Sequence, residues 1–218
     1  MSKYETLILI PAFNEAATIA NVVWSAKKYG DVLVLDDAST DGTGQKALEA
    51  GANVIANQIN LGYERNLSTG FQAAINDLKY SLLITIDGDG EHNPDDIPRF
   101  LAKLHVDVDL VCGNRSFKNR FSEYIWGYLG ILIYEIKDPL CGLKGYSLQF
   151  IRKNKINLGV ELLGSCIGTY LTKMMINLKC KRANIDINVS KRAGASKFGS
   201  GLIVNLRILW ALIIFSKI

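Results

Sequence analysis

The sequence lacks a hydrophobic run long enough for a membrane-spanning helix, which needs roughly 18 consecutive apolar residues. The segment Leu202–Ile218 comes closest, but two basic and two polar residues interrupt it. At the N-terminus the apolar stretch is only Leu7–Ile10, so we expect no signal peptide. These absences argue against a membrane-spanning or secreted protein.

Cysteine is scarce and is not arranged for metal binding or for a disulfide framework. The chain has 4 cysteines, none paired as C-x-x-C and none with a histidine at zinc-ligand spacing. Reduced, buried thiols are typical of cytosolic proteins. We therefore expect this role for Cys112, Cys141, Cys166 and Cys180.

Neither sign of charge dominates the composition. The formal net charge is +4, with 21% charged and 49% hydrophobic residues, as in ordinary globular proteins. This mild excess suits an anionic ligand or a membrane surface and predicts no nucleic-acid partner. The composition leaves the oligomeric state undetermined.

The chain also lacks linkers, internal repeats and low-complexity segments. Its 218 residues are enough to bury a core within one domain. We predict that residues 1–200 form this domain and that residues 201–218 form a C-terminal apolar helix of the same domain, at a membrane interface.

Glycine-rich phosphate loops are missing from the end of the first predicted strand. Pro11-Ala12-Phe13-Asn14 stands there instead of G-x-G-x-x-G, which argues against a dinucleotide-dependent oxidoreductase. A sugar nucleotidyltransferase would need a glycine-rich, arginine-containing loop at the same place. Neither class fits this sequence.

Strand-like and helix-like segments alternate over the first half of the chain. Such alternation predicts an α/β fold with a mostly parallel sheet flanked by helices. Asn14 is predicted to cap the first helix. The predicted strands are Thr6–Ile10, Val32–Leu35, Asn53–Ala56, Leu82–Ile86 and Leu110–Cys112, and the predicted helices are Glu15–Lys28, Thr43–Ala50, Tyr63–Leu78 and Pro94–Leu104.

Acidic clusters follow three of these strands. The fourth strand ends in Asp-Gly-Asp-Gly-Glu, residues 87–91, and further polar clusters begin at Pro11 and Asp36. Because ligands of parallel α/β sheets bind at the carboxyl ends of strands, the three clusters should meet at one edge. Closely spaced carboxylates can hold a hard divalent cation that still has room for phosphate oxygens.

In this order, the three clusters resemble those of the family 2 glycosyltransferases with the GT-A fold. P-A-F-N-E, D-D-A-S-T-D-G-T and D-G-D-G-E-H-N-P are similar to the family's opening, second and metal motifs. The later D-P-L-C-G-L-K-G-Y and R-A-G-A-S-K resemble signatures of its polyprenyl-phosphate sugar synthase branch. The matches extend from residue 7 to about residue 200.

The resemblance implies a site for a nucleotide-diphosphate sugar, UDP- or GDP-linked, and for Mg²⁺ or Mn²⁺. Asp89 and Glu91 are expected to hold the metal, with Glu91 standing where glutamine is common in the family. Metal in this position would neutralise charge on the diphosphate leaving group. The residues expected to contact the nucleotide sugar are Pro11, Ala12, Phe13, Glu15, Asp37, Asp87 and Gly88.

Four basic residues are expected to act on phosphate, together with Asp89, in catalysis. Arg115 would face the lipid phosphate, which suits a planar fork of donors. Lys144 replaces the arginine that is more usual in its motif. Arg192 and Lys197 lie in a glycine-containing loop that would close over the diphosphate and exclude water.

Two apolar segments suggest contact with lipid. Between residues 121 and 134, apolar side chains fall on one face of a predicted helix, either as core or as an interfacial surface rich in Trp and Tyr. Leu202–Ile218 has the same character. The interfacial interpretation predicts a peripheral protein at the cytoplasmic face of the membrane.

The resemblance implies a metal-dependent, inverting transfer of a sugar to a polyprenyl phosphate. A phosphate monoester is largely ionised at neutral pH, so it needs no general base. The alternative acceptor is a hydroxyl of a growing polysaccharide or glycolipid, for which Glu161 or another carboxylate would have to act as base. A non-catalytic nucleotide-sugar-binding module is the alternative of another class.

Overall fold

A computed structural model describes residues 5–118, 121–156, 158 and 167–190. Its strands are β1 Thr6–Ala12, β2 Asp31–Asp36, β3 Asn53–Ala56, β4 Leu82–Thr85, β5 Leu110–Arg115, β6 Lys144–Ser147 and β7 Arg182–Ile187. Its helices are α1 Ile19–Ala26, α2 Thr43–Glu49, α3 Tyr63–Asn76, α4 Ile97–Leu104, α5 Phe121–Tyr134, α6 Leu148–Lys153 and α7 Ile167–Asn177, with a 3₁₀ turn at Pro94–Asp96.

The strands form one seven-stranded sheet in the order β3-β2-β1-β4-β6-β5-β7. β1 lies between β2 and β4 and is parallel to both, while β6 is antiparallel to β4 and to β5. β7 pairs in parallel with β5. The prediction of a mostly parallel sheet flanked by helices is confirmed, and the ends of β1, β2 and β4 lie side by side at one edge.

Helices cover both faces of the sheet. Every residue of β1 is buried, which is typical of a parallel strand packed on both sides. Ile8 and Ile10 belong to the core on one face, with residues of α1 and α4. Leu7 and Leu9 belong to the core on the other face, with residues of α3 and α7.

Two strands were absent from the sequence prediction. β6 reads Lys-Gly-Tyr-Ser and β7 reads Arg-Ala-Asn-Ile-Asp-Ile, so neither has the apolar run that predicted the other strands. They become strands because β4 and β5 offer backbone partners on either side of β6, and β5 offers its other edge to β7. The pairing is therefore a tertiary effect.

The predicted cap of the first helix is wrong. α1 begins at Ile19, not at Glu15, and Asn14 adopts a positive φ of 52°. The Asn14 side chain accepts a hydrogen bond from the backbone N–H of Thr40 (2.9 Å) instead of capping a helix. Residues 13–18 thus form a loop that bonds to the loop after β2.

α5 has the predicted bounds, and the apolar residues of one of its faces are exposed, whereas Trp126 is buried. Phe121, Tyr128 and Leu132 are 76%, 66% and 63% exposed. Its buried positions are Ser122, Glu123, Trp126, Gly127 and Gly130. The core interpretation fails for these three exposed side chains. Within the part of the chain that the structure describes, no helix is both long enough and apolar enough to cross a bilayer.

Candidate active site

The loops after β1 and β2 are bonded to each other at the edge of the sheet. The backbone N–H of Asn14 donates to Ser39 Oγ (2.9 Å), and that of Glu15 donates to Thr43 Oγ1 (2.8 Å). The Thr18 hydroxyl donates to the carbonyl of Gly88 (2.7 Å), which follows β4. The three polar clusters therefore meet, as the strand order requires.

Pro11, Ala12, Phe13 and Glu15, predicted to line the nucleotide pocket, surround this meeting point. Pro11 and Ala12 end β1 and are buried, whereas Phe13 and Glu15 are partly exposed in the following loop. Ala12 accepts a backbone hydrogen bond from Asp37 (2.9 Å). A Cβ added to Gly88 would lie 3.4 Å from the Pro11 carbonyl, so the turn packs closely against β1.

Asp37 is 3% exposed, and both of its oxygens accept hydrogen bonds from protein groups. Oδ1 accepts from Asn57 Nδ2 (2.9 Å) and from the N–H of Leu61 (2.8 Å), and Oδ2 accepts from the N–H of Gly62 (2.8 Å). Asp37 therefore holds the loop before α3 in place. Its predicted contact with the nucleotide stays a prediction.

Asp87 lies at the centre of the site with 27% of its side chain exposed. The Tyr63 hydroxyl donates to Oδ1 (3.3 Å), and His92 Nδ1 lies 3.5 Å from Oδ2. The pKa of Asp87 is raised overall, chiefly because the side chain is buried. The neighbouring His92 lowers this pKa, and the charge of Asp89 raises it further. Gly142 packs against the carboxylate so closely that a Cβ there would overlap it. The later C-G-L-K motif thus joins the acidic turn.

Asp89, on the turn after β4, is buried, with 7% of the residue exposed. Its Oδ1 accepts a hydrogen bond from the N–H of Glu91 (2.9 Å) across Gly90, which has a φ of +76°. The pKa of the half-buried Glu91 is raised overall, chiefly by burial. His92 lowers this pKa, and the charge of Asp89 raises it. Carboxylates crowded in this way favour a cation between them.

The donor set suits Mg²⁺ or Mn²⁺ bound jointly with a ligand. Among the described residues, no group of three or more acidic, histidine or cysteine side chains forms a metal cage. Mg²⁺ is nevertheless usually held by one or two carboxylates plus substrate phosphates, which is what Asp89 and Glu91 offer. The raised pKa of Glu91 reports the unfavourable burial that a cation would relieve.

Arg115 ends β5 inside a buried cluster of charges. Its Nε and Nη2 donate to the two oxygens of Asp138 (2.7 and 3.1 Å), and Nη2 also lies 3.2 Å from Glu123 Oε2. The exposed fractions of these side chains are 9% for Arg115, 1% for Asp138 and 4% for Glu123. Burial lowers the pKa of Arg115, but the hydrogen bonds and charge of Asp138 outweigh burial and raise it.

Lys144, at the start of β6, is 4% exposed, and its Nζ donates to the Pro139 carbonyl (2.8 Å). β5 and β6 are adjacent, with Cys112 opposite Lys144. Lys144 and Arg115 therefore lie on neighbouring strands.

Arg192, Lys197 and Glu161 lie outside the described residues, as does the segment 201–218.

Sequence reasoning missed four residues that the structure brings to the site. They are Tyr63 and His92, which face Asp87, and Glu123 and Asp138, which bind Arg115. Glu123 carried a usable signal, since it is an acid within an apolar helix, on the face opposite Phe121 and Tyr128. Asp138 was within the quoted D-P-L-C-G motif but was assigned no role.

Comparison with known proteins gives matches over most of the chain. The family model Glycosyl transferase family 2 matches residues 7–169. The undecaprenyl-phosphate mannosyltransferase of Micrococcus luteus is 32% identical over 218 residues, covering 90% of this chain and 88% of that protein. The polyprenol monophosphomannose synthase of Mycolicibacterium smegmatis is 26% identical over 220 residues, covering 88% and 80%.

Solved structures support the fold. A glucosyl-3-phosphoglycerate synthase from Mycobacterium tuberculosis, in complex with Mn²⁺, UDP and glucosyl-3-phosphoglycerate, superposes with a TM-score of 0.74. The match covers 100% of this chain and 81% of that one at 18% sequence identity. The GT-A fold predicted from the motifs is confirmed.

Proposed function

Because the chain belongs to glycosyl transferase family 2, we propose that it transfers a sugar from a nucleotide diphosphate to a polyprenyl phosphate. The reaction takes place at the cytoplasmic face of a membrane, with inversion at the anomeric carbon. One observation carries this proposal: Gly142 packs against Asp87. This contact joins the acidic turn to β6 and β5, where two buried cations, Lys144 and Arg115, lie on adjacent strands.

The donor binds at the carboxyl ends of β1, β2 and β4. Pro11, Ala12, Phe13 and Glu15 line the pocket, and Asp37 contacts the base or ribose. Asp87 and Gly88 face the donor from the turn after β4. The loop-to-loop hydrogen bonds of Asn14 and Glu15 hold this pocket in shape before the donor arrives, which lowers the ordering cost of binding.

Asp89 and Glu91 hold Mg²⁺ or Mn²⁺ together with the donor diphosphate. Bound there, the cation would supply neutralisation of the charge that builds on the leaving group. Asp89 is already oriented by the N–H of Glu91 (2.9 Å), so its side chain needs little rearrangement. The structural neighbour crystallised with Mn²⁺ and UDP has the same fold and supports this assignment by analogy.

The acceptor phosphate lies toward β5 and β6. Asp138 and Glu123 engage Nε and Nη2 of Arg115, so we assign the acceptor phosphate to Nη1. A phosphate oxygen attacks the anomeric carbon, the bond from that carbon to the diphosphate breaks, and the nucleoside diphosphate leaves. No proton must be removed, because the second pKa of a phosphate monoester is about 6. Lys144, Arg192 and Lys197 add positive charge around the phosphates.

α5 provides the membrane contact. Its exposed aromatic and aliphatic side chains suit the interfacial region of a bilayer. Glu123 on its inner side pairs with Arg115, so lipid contact and the acceptor phosphate lie at the same helix. We assign the same interfacial role to residues 201–218, as part of the single domain.

The proposal is tested by incubating the protein with UDP- and GDP-sugars, a short polyprenyl phosphate, and either Mn²⁺, Mg²⁺ or EDTA. We expect one donor to give a polyprenyl-phosphate sugar with metal and none with EDTA. Transfer only to a saccharide hydroxyl would replace the acceptor, and tight donor binding without any turnover would make the chain a binding module. Activity that persists in EDTA would remove the metal from the proposal.

A further inference from the structure

His92 directly follows the acidic turn, residues 87–91. Sequence analysis assigned it no role. Its side chain is 3% exposed, and its ring spans from Asp87 to Cys141. Nδ1 lies 3.5 Å from Asp87 Oδ2, and Nε2 lies 3.6 Å from Cys141 Sγ. Among the described residues, Nδ1 has no hydrogen-bond partner at normal distance. A buried ring nitrogen without a partner is costly and calls for an explanation.

The chemistry of the neighbours selects one tautomer of the ring. An ionised carboxylate only accepts hydrogen bonds, so Nδ1 facing Asp87 must carry the hydrogen. In this tautomer the Nε2 lone pair faces Cys141. Burial raises the pKa of this thiol, which therefore keeps its hydrogen and can donate it to Nε2. The Leu143 carbonyl, 3.7 Å from Sγ, is the other acceptor within reach of the same thiol.

The backbone holds the ring in this place. His92 forms an antiparallel bridge with Val189, and the N–H of Ser190 donates to the carbonyl of Glu91 (2.9 Å). On the other side of Asp87, Gly142 leaves space for the carboxylate that no larger residue would leave. Asp87 is thus enclosed by Gly142, the hydroxyl of Tyr63 and the ring of His92.

We propose that His92 is a positioning residue that presents Asp87 to the donor: Nδ1–H holds Oδ2 while the Tyr63 hydroxyl holds Oδ1. The inference rests on the proposed function, in which Asp87 faces the nucleotide sugar. Hydrogen bonds of this kind are often long in ligand-free sites and tighten when the ligand binds. Loss of the Nδ1–H removes this contact with Oδ2 and leaves only the Tyr63 hydroxyl on Oδ1, so the carboxylate is less well oriented and binds the donor less well.

Two amide substitutions separate this role from a structural one. His92→Asn places its amide nitrogen near the position of Nδ1, whereas His92→Gln places it near Nε2. Both remove the aromatic ring, so both cost some thermal stability. Only the asparagine retains a donor that can reach Asp87. The glutamine is therefore the matched control for lost packing.

The experiment measures the affinity of each variant for UDP and for GDP, with Mn²⁺, by titration calorimetry, and the thermal midpoint in parallel. We expect His92→Gln to weaken binding of whichever nucleotide the wild type prefers by at least tenfold. His92→Asn should recover most of that loss at a similar thermal midpoint. Asp87→Asn should weaken binding less in the His92→Gln background than in the wild type, because the two residues are coupled.

Equal weakening by both amides would overturn the proposal, since it would mean that only packing matters. Wild-type affinity in His92→Gln would overturn it as well. Failure of the proposed function looks different: the wild type would bind neither nucleotide, or Asp87→Asn alone would leave binding unchanged.

Discussion

The acidic edge of the sheet and helix α5 differ in which side chains are buried and which are exposed. At the edge, the carboxylates Asp37 and Asp89 are buried, and backbone N–H groups hold them. On α5, Phe121 and Tyr128 are exposed while Glu123 is buried. Each region inverts the usual rule that charged groups face water and apolar groups face the core. Each inversion carries a cost. Under the proposed function, a cation and phosphates offset this cost in one region and a lipid surface offsets it in the other.

Arg115 affects both regions, because it pairs with Glu123 of α5 and its charge lowers the pKa of Asp87 and of Glu91 at the acidic edge. Removing it should have the largest effect. We expect Arg115→Ala to lower the stability of the protein, because the substitution leaves Asp138 and Glu123 buried without their cation. Breaking a buried pair in this way costs about 3–5 kcal/mol of unfolding free energy. Chemical denaturation of the wild type and the variant measures this loss.

Arg115→Lys is the matched control, because it keeps the charge and loses the fork. We expect the lysine variant to regain part of the stability and little of the transfer to lipid phosphate. If alanine at position 115 left the unfolding midpoint unchanged, the buried cluster would not contribute to stability. Full activity with lysine would show that charge alone suffices.

Substitutions of Asp89 test the acidic edge separately from α5. Asp89→Asn keeps an oxygen that can accept from the N–H of Glu91 but removes the negative charge. We expect transfer to fall at least about 100-fold, or ~2.7 kcal/mol, with little change in thermal midpoint. Nucleotide affinity should also become insensitive to Mn²⁺.

Asp89→Ala separates charge from structure at the same position. It removes the oxygen as well, so it should also lower the thermal midpoint, because the N–H of Glu91 loses its acceptor. An asparagine variant with activity within about tenfold of wild type, a loss of only ~1.4 kcal/mol, would show that Asp89 is not the metal ligand.

Charge placed on the outer face of α5 tests the other region. Tyr128→Glu with Leu132→Glu should lower partition onto anionic liposomes by roughly tenfold, or ~1.4 kcal/mol, because two apolar contacts are lost and charge repulsion is added. Nucleotide affinity should not change. Leu78→Glu with Val106→Glu is the matched control, since it adds the same two charges at residues that are 82% and 75% exposed in other parts of the molecule. A liposome sedimentation assay compares the three proteins.

Two other outcomes of the liposome assay would contradict this expectation. Equal loss by the control would mean that binding follows net charge and not this face. Unfolding or aggregation of the double variant would show that the face packs against other protein, either a second copy or residues outside the described ranges.

Tyr63→Phe should have the smallest effect. It removes one hydroxyl that donates to Asp87 over 3.3 Å, a contact of about 0.5–1.5 kcal/mol. Nucleotide affinity should fall about two- to tenfold, with transfer reduced in parallel and the liposome partition unchanged. Any change in liposome binding would mean that the two regions are coupled through more than Arg115.

The sequence predicted the acidic edge better than the surroundings of Arg115. Buried parallel strands are continuous apolar runs, so β1, β2, β4 and β5 could be located: the starts of β1, β4 and β5 were correct, and the other boundaries moved by one to three residues. The start of α1 was wrong because Asn14 bonds to Thr40 across the edge. No local pattern indicates such a contact, since its partner comes from another strand's loop.

The amino-acid sequence alone determined the α/β class, the positions of most strands along the chain and the acidic motifs, because periodicity and motif spacing are local properties of the chain. Tertiary structure alone decided that β6 is antiparallel, that Asp138 and Glu123 bind Arg115, that His92 faces Asp87 and that the apolar side of α5 points outward. These facts depend on contacts between residues far apart in the chain, and only the packing of the sheet and its helices brings such residues together.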